Sequence, residues 1–248
     1  MSLFETEALV LRTYNLAEAD KIVVCLSRSA GLIRGVAKNC RKLKNRFGAS
    51  LEPFTLINLT YFEKENKELV SFSQTEILRS RFNLTSDAAV MTGFSYMGDL
   101  LMDFSPPRQA NDNLYRMALA CFEAVSQTPA DLEWVLRYFE VWLLKLEGFL
   151  PDLRACANCG NAFDGEDPVY LGPDLSLRCL KCSQARGRAI PKSVHQQLRT
   201  TEKQSPAKFA EGAREVPVAT RKEVAQLTYQ IISRVLERMP RARPTFVQ

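Results

Sequence analysis

Residues 5–37 read ETEALVLRTYNLAEADKIVVCLSRSAGLIRGVA, and this stretch contains three short apolar runs that are rich in β-branched residues. Two further runs of the same kind follow before residue 80. The five predicted strands are Glu7–Thr13, Ile22–Ser27, Leu32–Ala37, Leu51–Glu63 and Leu69–Ile77. Five short strands with polar connections predict a small barrel or sandwich. The OB-fold, a five-stranded Greek-key barrel, fits this count, although SH3-like barrels have a similar number of strands. We assign residues 1–80 to this barrel domain.

Beyond the predicted strands the spacing of apolar residues changes to that of helices. The first helix is expected to extend to Met102, with Ser86 or Asp87 as its cap, and the second to begin at Asn111 or Asp112. A third helix carries its apolar residues at helical spacing, at Leu132, Val135, Leu136, Phe139 and Leu143. These three helices are predicted to form a helical region, residues 81–152.

The C-terminal residues 185–248 again have a helical pattern. We expect helices at Ile190–Thr201 and Arg221–Met239, and a loop in the polar segment from Leu198 to Val218. Residues 185–248 are therefore predicted to be mainly helical. The chain as a whole is therefore expected to be a multidomain α+β protein.

Four cysteines, Cys156, Cys159, Cys179 and Cys182, form the pattern C-x2-C-x19-C-x2-C. Each C-x2-C pair makes a tight turn that places two thiolates on one metal ion, and two such pairs complete the tetrahedral four-sulfur shell that Zn²⁺ prefers. We therefore predict one Zn²⁺ site in a module of residues 153–184. Four protein ligands leave no position for water or substrate, so the site is expected to be structural. A pair of disulfides, or four separate thiols, is the alternative.

The composition is that of an ordinary globular protein, since 46% of the 248 residues are hydrophobic and 25% are charged. No apolar run reaches the roughly 18 residues that a transmembrane helix needs, and the N-terminus lacks the pattern of a signal peptide. We therefore expect a cytoplasmic protein with no membrane partner. A reducing compartment favours metal over disulfide for the four cysteines. Cys25 and Cys121 lie in apolar runs and are expected in the core.

The net charge of +5 is unevenly distributed along the chain. Residues 1–80 carry 12 basic and 9 acidic side chains, residues 81–155 carry 6 and 10, and residues 156–248 carry 15 and 9. An acidic middle thus separates two basic ends, which indicates separate binding surfaces.

The densest positive charge lies between Lys21 and Leu51, where no acidic residue occurs. The eight basic residues there are Lys21, Arg28, Arg34, Lys38, Arg41, Lys42, Lys44 and Arg46. Basic residues gathered on a loop neutralise phosphates and release counterions, which gives salt-dependent binding of nucleic acid. A solvated loop that is merely basic is the alternative. The nearby aromatic residues Phe47, Phe54, Tyr61 and Phe62 fit the barrel core better than a platform for stacking bases.

A second stretch without acidic residues spans Leu175–Thr201. Its basic residues are Arg178, Lys181, Arg186, Arg188, Lys192 and Arg199. This stretch either extends a path for nucleic acid or solvates the metal module, and the sequence favours neither interpretation.

Signals for catalysis are weak. The only histidine, His195, has no cysteine or serine partner near it in sequence, and it is expected to lie on a helix surface. Neither a phosphate-binding glycine loop nor a dinucleotide-binding motif occurs. The sequence therefore favours a binding protein over an enzyme.

Three stretches together resemble the RecO family of bacterial recombination mediators. The first is ETEALVLRTYNLAEADKIVVCLSRSAGLIRGVAKNCRKLKNRFGASLEPF, the second is RYFEVWLLKLEGFLPDLRACANCG, and the third is RCLKC. They cover most of residues 1–182, whereas the last quarter of the chain resembles the family only in its helical character. The combination is specific, although no single stretch would be sufficient.

The resemblance implies an N-terminal OB-fold, a helical domain, and a zinc module inserted into that domain. It also implies binding of single- and double-stranded DNA and annealing of complementary strands in a cytoplasmic, nucleoid-associated protein. The implied partners are RecR, single-stranded-DNA-binding protein and, indirectly, RecA, which the family helps to load. The basic positions that match the family are Arg34, Lys38, Arg41, Lys42, Lys44 and Arg46. Cys40 departs from the family, which often has glycine there, so the loop backbone is expected to differ locally.

Other classes of protein share some of these features. A zinc-ribbon factor that associates with RNA or the transcription machinery would also combine a basic loop with two cysteine pairs. A nucleic-acid-modifying enzyme would need a further metal or cofactor, and a purely structural adaptor would use the basic loop to bind an acidic protein segment. Competition between single-stranded DNA and RNA distinguishes the first alternative, and resistance of binding to nuclease identifies the adaptor.

Overall fold

The computed structural model describes residues 2–65, 67–163, 168–241 and 244. Within these ranges the chain is an α+β protein with two compact units, the first reaching Phe122 and the second beginning at Glu123. The strands are β1 (Ser2–Leu16), β2 (Asp20–Ser27), β3 (Gly31–Ala37), β4 (Leu56–Glu63), β5 (Val70–Arg79), β6 (Val169–Leu171), β7 (Leu177–Arg178) and β8 (Arg188–Ile190). The helices are α1 (Ala88–Phe104), α2 (Asp112–Gln127), α3 (Leu132–Leu146), α4 (Leu180–Ser183), α5 (Lys192–Thr201), α6 (Pro206–Gly212) and α7 (Val218–Leu236). None of these helices is both long and apolar enough to span a membrane.

The first five strands close into a barrel in the order β1-β2-β3-β5-β4. Strand β1 pairs antiparallel with β2 and β4, and β3 pairs in parallel with β5. This is the Greek-key order of the OB-fold, so the predicted five-stranded OB barrel is confirmed. The long strand β1 thus pairs with both of its neighbours. A bulge between Val10 and Arg12 bends it within the segment that pairs with β2.

Alternate residues of the strands fill the barrel, as a side-chain period of two requires. The core includes Ala8, Val10, Val23, Cys25, Ile33, Ile57, Leu59 and Phe72, each at most 3% exposed. Cys25 is therefore a core residue, as predicted, and so is Cys121 on α2. Gly35 allows β3 to approach β5, because a Cβ atom at this position would lie 2.1 Å from the Phe72 ring.

The fourth strand begins at Leu56, later than the predicted start at Leu51. Pro53 has no N–H to donate to a strand ladder, and Phe54 adopts a positive φ of 66°. The segment therefore turns before the strand begins. It remains tied to β1, because the N–H of Phe54 donates to the carbonyl of Val10 at 2.7 Å.

The aromatic residues near the basic stretch are mostly core residues, as predicted. Phe47, Phe54 and Tyr61 are each at most 4% exposed. Phe54 packs against Phe94 of α1 and Phe122 of α2, with ring centroids 5.4 Å and 5.6 Å away. Because Phe47, Phe54 and Tyr61 are buried, their rings stabilise the core and do not offer a surface for stacking bases.

Helix α1 begins at the predicted cap, since the Asp87 carboxylate accepts a hydrogen bond at 3.0 Å from a backbone N–H of the first turn. The side chain of Asn111 caps α2 in the same way at 3.0 Å. The buried Asp99 of α1 forms an ion pair of 2.5 Å with Arg12 of β1. This pair fixes α1 on the wall of the barrel.

In the second unit α3 is the central helix and packs against α5, α6 and α7. Its Arg137 and Glu140 form a fully buried ion pair at 2.7 Å. The hydroxyl of Thr228 on α7 donates to the other carboxylate oxygen of Glu140 at 2.5 Å. Because separation of these groups would leave a buried charge without its partner, the cluster fixes the register of α7 on α3.

The polar segment Leu198–Val218 is not simply a loop, contrary to the prediction, because it contains helix α6. Ser205 caps this helix, and Pro206 occupies its first turn, so the sequence carried a recognisable start signal. Phe209 is buried against Trp134 of α3, with ring centroids 5.7 Å apart. One apolar anchor thus holds a helix that is otherwise polar.

Two predicted helix boundaries are also corrected. Ile190 belongs to strand β8 and not to the helix predicted from it, because Pro191 separates the two elements. Helix α7 starts before the predicted Arg221 and ends before the predicted Met239. It ends where Glu237 adopts the left-handed conformation, with a φ of 53°.

His195 is buried and does not lie on the helix surface, contrary to the prediction. Its Nε2–H donates to the carbonyl of Leu153 at 2.7 Å, because a carbonyl oxygen only accepts. The imidazole ring packs edge-on against Phe163, with ring centroids 5.7 Å apart. The histidine therefore fastens the segment before the first cysteine pair to α5.

This contact gives the stability of the second unit a defined dependence on pH. Burial lowers the pKa of His195 below its ordinary value of 6.5, and the charge of Arg199 lowers it further, against the opposing effect of the Leu153 hydrogen bond. The unfolded chain therefore binds more protons as the pH falls through 6.5, and stability is lost in that range. His195→Gln keeps an N–H donor but does not titrate. Urea unfolding on either side of pH 6.5 is expected to show a weaker pH dependence in this variant.

His195→Ala is the matched comparison, because it removes the donor as well as the titrating group. At neutral pH we expect His195→Ala to lower the free energy of unfolding by about 1–3 kcal/mol, the cost of an unsatisfied buried group. His195→Gln is expected to lose less. An unchanged pH dependence in both variants would show that His195 does not control it.

Candidate functional site

The four cysteines of the predicted metal site lie together between α3 and α5. All four sulfur atoms, Sγ of Cys156, Cys159, Cys179 and Cys182, lie within 4.8 Å of one another. The Sγ atoms of Cys159 and Cys179 are 3.9 Å apart. Four sulfur atoms at this spacing fit the coordination shell of one metal ion.

Backbone hydrogen bonds shape both cysteine pairs. In the first pair, the N–H of Gly160 donates to the carbonyl of Cys156 at 2.9 Å, and Gly160 adopts a φ of 72° that suits glycine. In the second pair, Cys179 precedes helix α4, and its backbone carbonyl accepts a hydrogen bond from the N–H of Ser183 at 2.9 Å. The N–H of Cys179 also donates to Sγ of Cys156 at 3.4 Å. The two turns are thus joined to each other as well as to their own backbones.

The thiols of the cluster differ in acidity. Burial opposes ionisation of Cys156, but backbone N–H groups of Cys179, Cys159 and Asn158 outweigh it and lower its pKa to about 6. For Cys159 the backbone N–H of Asn161 favours the thiolate, but sharing protons with the neighbouring sulfurs raises its pKa to about 11. The Cys156 thiolate thus forms readily, whereas the Cys159 thiol stays protonated. A cation that accepts all four thiolates removes this conflict.

The second basic stretch is partly occupied with contacts inside the second unit. Arg178 pairs with Asp174 at 2.5 Å. Arg188 pairs with Glu223 at 2.8 Å and donates to Gln230 of α7 at 2.9 Å. These two arginines stabilise the region around the cysteine cluster, which favours the structural interpretation for this part of the stretch.

The six basic residues of the predicted DNA-binding site lie on β3 and on the connection that follows it. Arg34 points outward from β3, and the other five belong to the segment Lys38–Arg46, which we call the basic loop. All six side chains are exposed. Among the residues that the structure describes, none of the six forms an ion pair with a carboxylate. Their charges therefore face solvent without internal compensation.

Two of these arginines also support the loop. The Arg41 guanidinium donates to the carbonyl of Ala17 at 3.1 Å. The Arg46 guanidinium donates to the carbonyl of Phe72 at 3.2 Å and lies 5.0 Å from the centre of the Phe47 ring. Both remain exposed, so each can contact a ligand and hold the loop at the same time.

The residues that fix the basic loop were not identified from the sequence. Asp20 accepts from the N–H of Asn39 at 2.8 Å, and Asn39 has a φ of 58°. Asn45 accepts from the N–H groups of Phe47 and Gly48 at 2.9 Å and 2.8 Å. Asparagine is common in such turns, so the two asparagines were a usable signal.

Cys40, where the resemblance leads us to expect glycine, packs half-buried against the barrel core. The left-handed conformation for which glycine is suited falls on the preceding residue, Asn39. Asparagine tolerates that conformation better than most residues. A cysteine is therefore accommodated in this loop without backbone strain of its own.

Together these features define a class of protein: an OB-fold barrel with an exposed basic loop, followed in the same chain by a helical unit with a four-cysteine cluster. Two family models match the sequence, "Recombination protein O N terminal" over residues 1–81 and "Recombination protein O C terminal" over residues 85–244. The chain therefore belongs to the recombination protein O family, RecO.

Curated relatives support this assignment over most of the chain. The chain is 36% identical to the DNA repair protein RecO of Koribacter versatilis, over 68% of each protein. It is 34% identical to the protein of the same name from Symbiobacterium thermophilum, over 78% of this chain and 77% of the relative. It is 33% identical to that of Dehalococcoides mccartyi, over 77% and 74%. Family membership places the chain among DNA repair and recombination proteins.

Proposed function

We propose that this protein is a recombination mediator that binds single- and double-stranded DNA and anneals complementary strands in the cytoplasm. In this role it acts with RecR on strands coated by single-stranded-DNA-binding protein and helps to load RecA. The mechanism is non-enzymatic. Family membership and the OB barrel support the proposal, and the uncompensated positive charge of the basic loop carries it.

The annealing mechanism follows from electrostatics. Two complementary strands repel each other through their phosphates, and a surface that neutralises both sets of phosphates lowers that repulsion so that bases pair. Arg34, together with the basic loop, offers six exposed cations for this purpose. Neutralisation of phosphates is independent of base sequence, which suits a repair protein that acts at any site on a chromosome.

We further propose that Cys156, Cys159, Cys179 and Cys182 hold one Zn²⁺ ion. A set of four sulfur donors fits Zn²⁺, and because the four ligands fill its coordination shell, the ion has a structural role. In this proposal residues 153–184 form a zinc module inserted between two parts of a helical domain, residues 81–152 and 185–248, and residues 1–80 form the DNA-binding barrel domain.

The proposal is tested by measuring annealing of complementary oligonucleotides over a salt series, both bare and coated with the cognate single-stranded-DNA-binding protein. We expect acceleration on both substrates, with a steep decline as salt rises because counterion release weakens. Coated strands test the mediator role, since a generic basic protein accelerates annealing only of bare strands. If neither bare nor coated strands anneal faster, the result would contradict the proposed function.

A further inference from the structure

Leu43 lies at the tip of the basic loop, between Lys42 and Lys44, with a relative exposure of 106%. The next most exposed large apolar side chains in the described part of the chain, Met239 and Phe82, reach 74% and 73%. Single exposed apolar residues are common and need no explanation by themselves. Leu43 differs because the fold holds it in this position and places a cation on either side.

Hydrogen bonds fasten both flanks of the loop tip. On one side, the backbone N–H of Arg41 donates to the carbonyl of Ala19 at 3.0 Å. On the other side, the Asn45 side chain donates to the carbonyl of Lys42 at 2.9 Å and accepts from the N–H of Phe47 at 2.9 Å. Phe47 is itself only 4% exposed in the barrel core. The three residues of the tip are therefore presented on a frame anchored to the barrel.

The charges beside Leu43 indicate what the tip contacts. Lys42 and Lys44 are both exposed, and neither pairs with a carboxylate among the described residues. Phosphates bound by two such lysines place the sugar and base between them against the intervening side chain. An apolar side chain gains contact free energy from a base face but not from a phosphate. The arrangement of cation, leucine and cation thus fits a nucleic-acid strand better than an acidic peptide.

We propose that Leu43 contacts an unstacked base of single-stranded DNA while Lys42 and Lys44 bind the flanking phosphates. This inference rests on the proposed function of the basic loop and adds a preference for the form of the DNA. Base faces are accessible in a single strand, whereas in a duplex they are covered by stacking. Leu43 therefore favours single strands, and the lysines serve both forms.

Leu43→Ser tests the proposal without a change in charge. We expect affinity for oligothymidine to fall about fivefold to tenfold, which is about 1–1.4 kcal/mol and corresponds to covering roughly half of a leucine side chain. The slope of affinity against salt stays unchanged, because no cation is lost. Affinity for a duplex of the same length also stays unchanged. The midpoint of thermal unfolding is the control for folding, since a side chain this exposed contributes little to stability.

Leu43→Trp gives a direct signal for base contact. The native tryptophans, Trp134 and Trp142, both lie in the second unit, so a new indole at the loop tip reports separately. Its fluorescence is expected to be quenched by oligothymidine and much less by duplex. Unchanged affinity for single strands in Leu43→Ser, an equal loss for both forms of DNA, or an unquenched Leu43→Trp would each overturn the proposal.

Failure of this inference is distinguishable from failure of the proposed function. If charge reversal in the loop weakens DNA binding but Leu43→Ser leaves it unchanged, only the role of Leu43 is overturned. If charge reversal in the folded protein has no effect, the loop is not the DNA-binding site, and the inference about Leu43 is overturned with it.

Discussion

Cys156→Ala is expected to abolish binding of the proposed Zn²⁺ ion and to loosen the structure around the cysteine cluster. A structural zinc site of this kind contributes roughly 10–16 kcal/mol of apparent binding free energy. Cys156 is buried and its sulfur accepts the N–H of Cys179, so alanine removes a ligand and a link between the two turns. We expect zinc content to fall from one ion per chain to nearly none. The stability of the second unit is expected to fall by several kcal/mol, about a quarter of that binding energy or more.

Zinc content is measured by elemental analysis of the purified protein, and local order by hydrogen exchange of residues 153–190. Cys40→Ala is the matched control, because Cys40 is half-buried like Cys179 and Cys182 of the cluster but packs against the barrel core. It is expected to retain the full complement of zinc. Full occupancy in Cys156→Ala would exclude Cys156 as a required ligand.

Reversal of charge in the basic loop is expected to have the largest effect on DNA binding. The variant Arg41→Glu/Lys42→Glu/Lys44→Glu removes three of the proposed phosphate contacts, and each such contact contributes about −0.7 to the slope of log affinity against log salt for single strands. The slope is therefore expected to flatten by about 2. At about 50 mM salt this corresponds to a loss of affinity of roughly 500-fold, before the added repulsion of three carboxylates.

Two comparisons separate the loss of phosphate contacts from other effects. Lys203→Glu/Lys208→Glu/Lys222→Glu changes net charge by the same amount at exposed lysines of the second unit. It is expected to change the slope much less. Lys42→Glu/Lys44→Glu leaves the supporting hydrogen bonds of Arg41 intact. An unchanged slope in a folded triple variant would place the DNA-binding surface elsewhere on the protein.

Local signals in the sequence were sufficient for much of the fold. Short apolar runs rich in β-branched residues located five strands, and their count fitted the OB barrel that the structure shows. Asp87 and Asn111 were recognisable caps because capping depends on hydrogen bonds within one turn of the chain. The start of β4 was misplaced because an apolar residue such as Leu51 is compatible with a strand and with a buried turn.

The missed elements share a dependence on distant contacts. Helix α6 has few apolar residues, and Phe209 stabilises it only because α3 supplies Trp134. His195 lies on a polar helix, and its burial depends on the carbonyl of Leu153, far away in sequence. The role of Arg188 stayed undecided in the sequence because its partner Glu223 comes from α7. The position of such residues depends on packing against distant segments, and the local spacing of residues carries no information about that packing.

The candidate sites divide in the same way. The sequence alone determined which cysteines form each pair, because a C-x2-C turn brings its own two sulfurs together. It also determined where positive charge is concentrated, since charge is a property of composition. Only the tertiary structure decided that the two cysteine pairs meet, that the loop cations are exposed and form no ion pair with a described residue, and that Leu43 is fully exposed between two lysines. These depend on which distant segments the fold brings into contact.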